Sequence, residues 1–249
     1  MKNKNKVALV TGAAHRLGKS IAIELHQKGI DIAIHCGKSV EAANQLKNEL
    51  NDIRKQSAQV FCCDLIKPNN ASRLIEQVTN QFGRLDYLVN NASIFYPTAI
   101  EKIQDEQLAT FLQVNFFQPV KLAQAAFPWL KKESGSIVNL IDIYAESGLK
   151  NHTTYVASKA GLLEATKELA AEFAPEVRVN AVSPGAILWP SSDSNPQPDS
   201  HQQEIIKNTA LKKIGKPQDI SKTVVYLLTQ ASYSTGSVIN VDGGRRLYI

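Results

Sequence analysis

Tyr155 and Lys159, four residues apart in YVASK, carry the first chemical suggestion in this sequence. On a helix that spacing sets both side chains on one face. A phenol with an ordinary pKa near 10 is a poor proton donor at neutrality, and a neighbouring cation lowers that value. Lys159 is placed to do so. Asn115, in LQVNFF, is a candidate anchor for a proton-carrying water behind the lysine.

A second group of residues suits a phosphate. TGAAHRLG (11–18) follows the apolar run VALV and opens a helical segment, so Thr11, Gly12 and Gly18 sit where a strand turns into a helix. Backbone N–H groups and the helix dipole favour a diphosphate there, and glycines let it approach the backbone. At the end of the second strand, where an NAD site usually carries a carboxylate for the ribose, the sequence reads HCGKS. His35, Lys38 and Ser39 offer cations and a hydroxyl instead, which suits a 2′-phosphate and so NADPH. Lys159 also lies within reach of a nicotinamide ribose. Asp64 in CCDL ends the third strand, and Asn91 and Ala92 in LVNNAS form a short turn beside the adenosine.

The elements that must position these groups are legible as apolar runs of strand length: 7–10, 32–36, 59–63, 87–90, 136–141, 177–182 and 237–241. They are rich in Val and Ile and mostly lack polar alternation, as strands covered on both faces do. Amphipathic stretches such as 20–29 and 160–175 lie between them. The β-α alternation predicts one α/β domain over residues 1–249, a Rossmann-type doubly wound parallel sheet of about seven strands. PSSDSNPQPDSHQQ (190–203) reads as a mobile loop at the ligand-binding end of a strand, ordered when ligands bind.

The chain has 249 residues, 43% of them hydrophobic and 20% charged, with a formal charge of +5. That balance fits an ordinary soluble protein drawn to anionic ligands. No zinc-finger spacing or basic stripe with interleaved aromatics supports nucleic-acid binding. No signal-peptide core and no apolar run of about 20 residues is present, so a cytoplasmic protein without a membrane span is expected. Cys36, Cys62 and Cys63 lie in strand-like runs and read as buried, reduced thiols.

Taken together, these motifs resemble the short-chain dehydrogenase/reductase family over essentially the whole chain. Its usual pattern is T-G-x-x-x-G-x-G, N-N-A-G, a helix Asn, a Ser about 13 residues before Y-x-x-x-K, then P-G. This sequence supplies Thr11-Gly12 to Gly18, Asn90-Asn91-Ala92, Asn115, Tyr155 with Lys159, and Pro184-Gly185. The resemblance extends the NADPH site to Leu17, Leu65, Ser93, Pro184, Gly185 and Ile187, and implies a homotetramer.

Three departures narrow the expectation. Arg16 replaces the middle glycine, Ser93 replaces the glycine of N-N-A-G, and Asp142 replaces the serine. These changes, with NNASIFYPT and the VDGGRR ending, resemble the pteridine reductases. A serine hydroxyl polarises a ketone oxygen, whereas a carboxyl group can help deliver a proton to a ring nitrogen. The expected reaction is therefore NADPH-dependent reduction of a 7,8-dihydropterin, dihydrofolate being a larger candidate. Asp142, Tyr155 and Lys159 would handle protons with Asn115 in support, and no metal is required. Arg16, Ser93, Phe95, Asp142, Tyr155, Leu188 and Trp189 would hold the pterin, Phe95 by stacking. Arg16 would bridge the cofactor's diphosphate and the pterin's exocyclic oxygen, giving up a tight turn for a substrate contact. The alternatives are a carbonyl reductase acting on a 3-oxoacyl thioester or small ketone, and a cofactor sensor without turnover.

Overall fold

The computed structural model describes residues 5–67, 69–187 and 200–249. Seven parallel strands form one sheet: β1 (Val7–Val10), β2 (Asp31–Cys36), β3 (Ala58–Cys62), β4 (Tyr87–Asn90), β5 (Ser136–Leu140), β6 (Arg178–Pro184) and β7 (Val238–Val241). Their order is β3-β2-β1-β4-β5-β6-β7. This is the Rossmann-type α/β arrangement expected from the apolar runs.

The absence of polar alternation has a direct cause. Ala8 and Val10 of β1 face one apolar layer with Ile32 and Ile34, while Val7 and Leu9 face the other with Ala33 and Phe61. Helices α1 (Arg16–Gln27), α2 (Val40–Ile53) and, late in the chain, Pro217–Thr229 cover the first face through Ile21, Leu25, Leu46, Val224 and Leu228. The second face is covered by α3 (Asn70–Phe82), by α5 (Gln118–Lys132), which follows the short α4 (Asp105–Leu112), and by α6 (Thr153–Phe173). With α7 (Ser200–Lys207), the late helix 217–229 is α8.

Several boundaries differ from the sequence reading. α6 begins seven residues before the expected 160, placing Tyr155 and Lys159 in its first two turns. The last residues of the expected loop 190–203 start α7, and Leu188 and Trp189 lie outside the described residues. Cys36 is buried, as expected, but Cys62 is exposed and donates to the Gly37 carbonyl. Between α4 and α5, Gln113–Phe117 forms a turn of π-helix, which nothing in the sequence pattern announced. Among the described residues no helix is long and apolar enough to cross a membrane.

Candidate active site

The C-terminal ends of β1, β4, β5 and β6 open into a groove of about 770 Å³. It lies where the strand order reverses, since β1 pairs with β2 on one side and β4 on the other. Residues far apart in sequence meet on its walls: Gly12, Arg16, Leu17 and Gly18 from the first turn, and Asn91, Ala92, Ser93 and Phe95 after β4. Asp142, Tyr155, Lys159, Pro184, Gly185 and Ile187 complete the set. His15, Leu140, Ile141 and Ala186 also line it and were missed, although each lies within two residues of a motif residue.

The glycine turn is tightly specified. A Cβ at Gly18 would stand 2.2 Å from the Gly12 carbonyl oxygen and 2.7 Å from Asn91 Nδ2, so no side chain fits. Thr11 Oγ1 accepts the N–H groups of Asn91 (2.9 Å) and Ala92 (3.0 Å), and Asn91 Nδ2 donates to the Thr11 carbonyl at 2.8 Å. Thr11 is buried, so it ties the β1 and β4 turns together beneath the groove. The helix after it starts without a side-chain cap or an acidic residue in its first turn. An uncapped helix start lined by Arg16, Leu17 and Gly18 suits a diphosphate group.

Arg16 departs from expectation in one respect. Its φ is +52°, so the left-handed turn a glycine would make is retained, not given up. Holding a residue with a Cβ there costs on the order of 1–2 kcal/mol. The cationic side chain is thus kept at the groove against a backbone penalty.

The expected 2′-phosphate cluster divides. His35 is only 2% exposed. Its Nδ1 accepts the Gly12 N–H at 3.2 Å and its Nε2 faces the Cys63 carbonyl at 3.0 Å. A backbone N–H only donates and a carbonyl only accepts, so both contacts require the neutral ring with the proton on Nε2. Burial also lowers the His35 pKa. His35 therefore supports the glycine turn from below and is corrected from ligand to support. Lys38 is exposed beyond β2, and Ser39 stands at the start of α2 without a side-chain capping bond. Asp64 accepts the Ile66 N–H at 3.0 Å, closing its own turn. Leu65 puts its side chain in the apolar layer, not in the groove.

The proton-handling residues form a chain in which Tyr155 and Lys159 are buried and Asp142 is half-buried. Asp142 follows β5 in an extended conformation, and its Oδ1 accepts the Tyr144 N–H at 3.0 Å. Tyr155 donates its hydroxyl to Asp142 Oδ2 at 2.6 Å. Lys159 donates to the Leu140 carbonyl at 2.8 Å, with its Nζ 6.0 Å from the centre of the Tyr155 ring. Burial raises the Asp142 pKa, against the Tyr144 and Tyr155 hydrogen bonds and the Lys159 charge. Burial and then Asp142 raise Tyr155 well above the ordinary phenol value, while burial lowers Lys159 to about 8. The expectation that Lys159 makes Tyr155 a stronger acid is thus corrected. The group touching the phenol is a carboxylate, and a neighbouring negative charge favours the neutral phenol.

Asn115 is brought close by the π-turn, but its amide is already engaged. Oδ1 accepts the Ile94 N–H at 2.9 Å, and Nδ2 donates to the Ile94 carbonyl and to Ser158 Oγ, both at 3.1 Å. It clasps the Ser93–Phe95 strip to α6. Phe95 stacks on His152 with ring centroids 4.8 Å apart and meets Tyr155 edge-on at 4.7 Å, yet stays 57% exposed. That is an apolar surface at the groove with little structural reason to be open.

A family model described as "Enoyl-(Acyl carrier protein) reductase" matches residues 12–246. A 3-oxoacyl-[acyl-carrier-protein] reductase FabG of Staphylococcus epidermidis is 33% identical over 245 residues, covering 96% of this chain and 98% of its own. FabG proteins of Thermotoga maritima (30% identical, 98% and 99% covered) and Haemophilus influenzae (32% identical, 97% and 98% covered) are similar. These names favour the expected alternative, reduction of a 3-oxoacyl thioester, over pterin reduction.

Proposed function

The chain belongs to the short-chain dehydrogenase/reductase family, and within it we propose that it reduces a 7,8-dihydropterin with NADPH. One observation carries this reading: a half-buried carboxyl group, Asp142, shares a 2.6 Å hydrogen bond with Tyr155 on the groove wall. The nicotinamide cofactor, when bound, supplies the hydride. Reducing an imine adds that hydride to carbon and requires one proton on the adjacent nitrogen. Tyr155 and Asp142 hold one proton between them, and burial makes the carboxyl readier to gain a second. The pair can then pass one proton to the ring nitrogen and recover it from solvent. Lys159 keeps positive charge beneath the pair, Gly12 and Gly18 admit the diphosphate, Lys38 meets the 2′-phosphate, and Phe95 offers a face to the flat ring. The working assembly is proposed as a homotetramer, which analytical ultracentrifugation checks.

The names of the relatives support a second reading, reduction of a 3-oxoacyl thioester. The two separate in one assay that follows NADPH loss with dihydrobiopterin, dihydrofolate or acetoacetyl thioester. Dihydropterin turnover that falls ~10²–10⁴-fold in Asp142→Asn supports the first reading, that being the usual worth of a general acid. Turnover of the thioester alone overturns it in favour of the second, and NADPH binding without any turnover leaves only the sensor.

A further inference from the structure

The VDGGRR ending has no role in the reaction described above, yet it reaches the reacting carboxyl group through one intermediary. Arg245 is 9% exposed. Its Nε and Nη2 donate to the Tyr144 hydroxyl at 3.3 and 3.1 Å, and its Nη1 donates to the Ile205 carbonyl at 3.2 Å. Tyr144 is the residue whose backbone N–H holds Asp142 Oδ1. Ile205 lies in the last turn of α7, and its carbonyl accepts the Thr209 hydroxyl at 2.8 Å as well as Arg245. One guanidinium therefore bridges the turn bearing the carboxyl and α7.

The glycines before it make the reach possible. Gly243 and Gly244 have φ of +62° and +78°, and Cβ atoms there would stand 2.9 Å from Thr209 Cγ2 and 2.7 Å from Ala210 Cβ. Asp242 pins the reversal by accepting the N–H groups of Gly244 and Arg246, both at 2.9 Å, and the Gly243 carbonyl accepts the Leu211 N–H at 3.0 Å. The chain end is thus fastened to the exit of α7 before Arg245 turns inward.

We propose that Arg245 is a positioning residue that couples the seating of α7 to the orientation of Asp142 through Tyr144. The kinetic part rests on the proposed function, but the coupling itself does not.

Hydrogen–deuterium exchange on the whole protein tests the coupling without any substrate. Arg245→Met and Tyr144→Phe should each speed exchange in both 142–145 and 200–207, and the double variant should add little to the larger single effect. In dihydropterin turnover each variant should lower kcat by ~10-fold, the worth of one hydrogen bond to a charged group, with the NADPH KM unchanged. Arg245→Lys, which keeps the charge but not the planar fork, should recover only part of kcat. Exchange that rises in one segment alone, or effects that multiply in the double variant, overturns the coupling. If the wild-type protein turns over no pterin, the proposed function fails and the exchange result still decides this inference.

Discussion

Replacing Lys159 by methionine should make the protein more stable at neutral pH while ending its catalysis. The ammonium is fully buried, and burial lowers its pKa from 10.5 to about 8. Each factor of ten in proton affinity is worth about 1.4 kcal/mol, so holding the charged form inside the fold costs about 3 kcal/mol. Methionine removes that cost and fills similar space. Against this stands the lost hydrogen bond to the Leu140 carbonyl, worth about 1 kcal/mol. Asp142 also loses the nearby positive charge that lowers its pKa. A net gain of about 1–2 kcal/mol remains, or roughly 2–8 °C in Tm for a chain of this size. The sign with pH follows from linkage. A lysine depressed in the fold contributes stability above its unfolded value, and that contribution is lost as pH falls from 10.5 through about 8. The advantage of the variant should therefore be complete below pH 8 and shrink towards pH 10.5. Calorimetry of both proteins at pH 7 and pH 10.5 checks this. A variant that melts below the wild type at pH 7, or a difference that does not change with pH, would refute the reasoning.

Arg16→Gly should relieve the left-handed backbone and raise stability by about 1 kcal/mol, read by urea denaturation, while weakening dihydropterin binding measured by calorimetric titration. Phe95→Ala should weaken dihydropterin binding by roughly 1–3 kcal/mol with little change in Tm, because the ring is already more than half exposed. A large fall in Tm with unaltered affinity would make Phe95 a packing residue. Lys38→Ala should reduce a preference for NADPH over NADH of about 1–3 kcal/mol, chiefly through the NADPH KM. Equal use of both cofactors by the wild type would remove the basis for this assignment.

The inner strands were legible because each is a short apolar run with both faces covered, so 7–10 and 87–90 fall where the composition places them. The glycine turn and the Tyr155–Lys159 pair were legible because local spacing fixes their geometry. His35 was misread because a polar residue at a strand end looks the same in sequence whether it faces a ligand or supports a turn. The effect on Tyr155 was misjudged for a related reason. Asp142 lies thirteen residues away along the chain, and only the fold shows that its carboxyl group, not the Lys159 ammonium, touches the phenol. The left-handed Arg16 was hidden because its side-chain chemistry drew the reading away from its backbone. The π-turn leaves no mark at all, since its residues have ordinary helical character.

That π-turn has a consequence for the chain's tolerance of length changes. One surplus residue in a helical path rotates everything after it by about 100° relative to everything before it. Phe111 of α4 packs tilted against Tyr96 and edge-on to Tyr155, whereas Leu122, Ala126 and Leu130 of α5 must point into the apolar layer under the sheet. A regular helix through 105–132 could satisfy one of these directions but not both. Deleting a single residue between Gln113 and Phe117 would remove the surplus, so that a regular helix keeps both ends in phase and loses chiefly the placement of Asn115. The same deletion elsewhere in 105–132 has no surplus to draw on, and would turn either the groove wall or the core face outward.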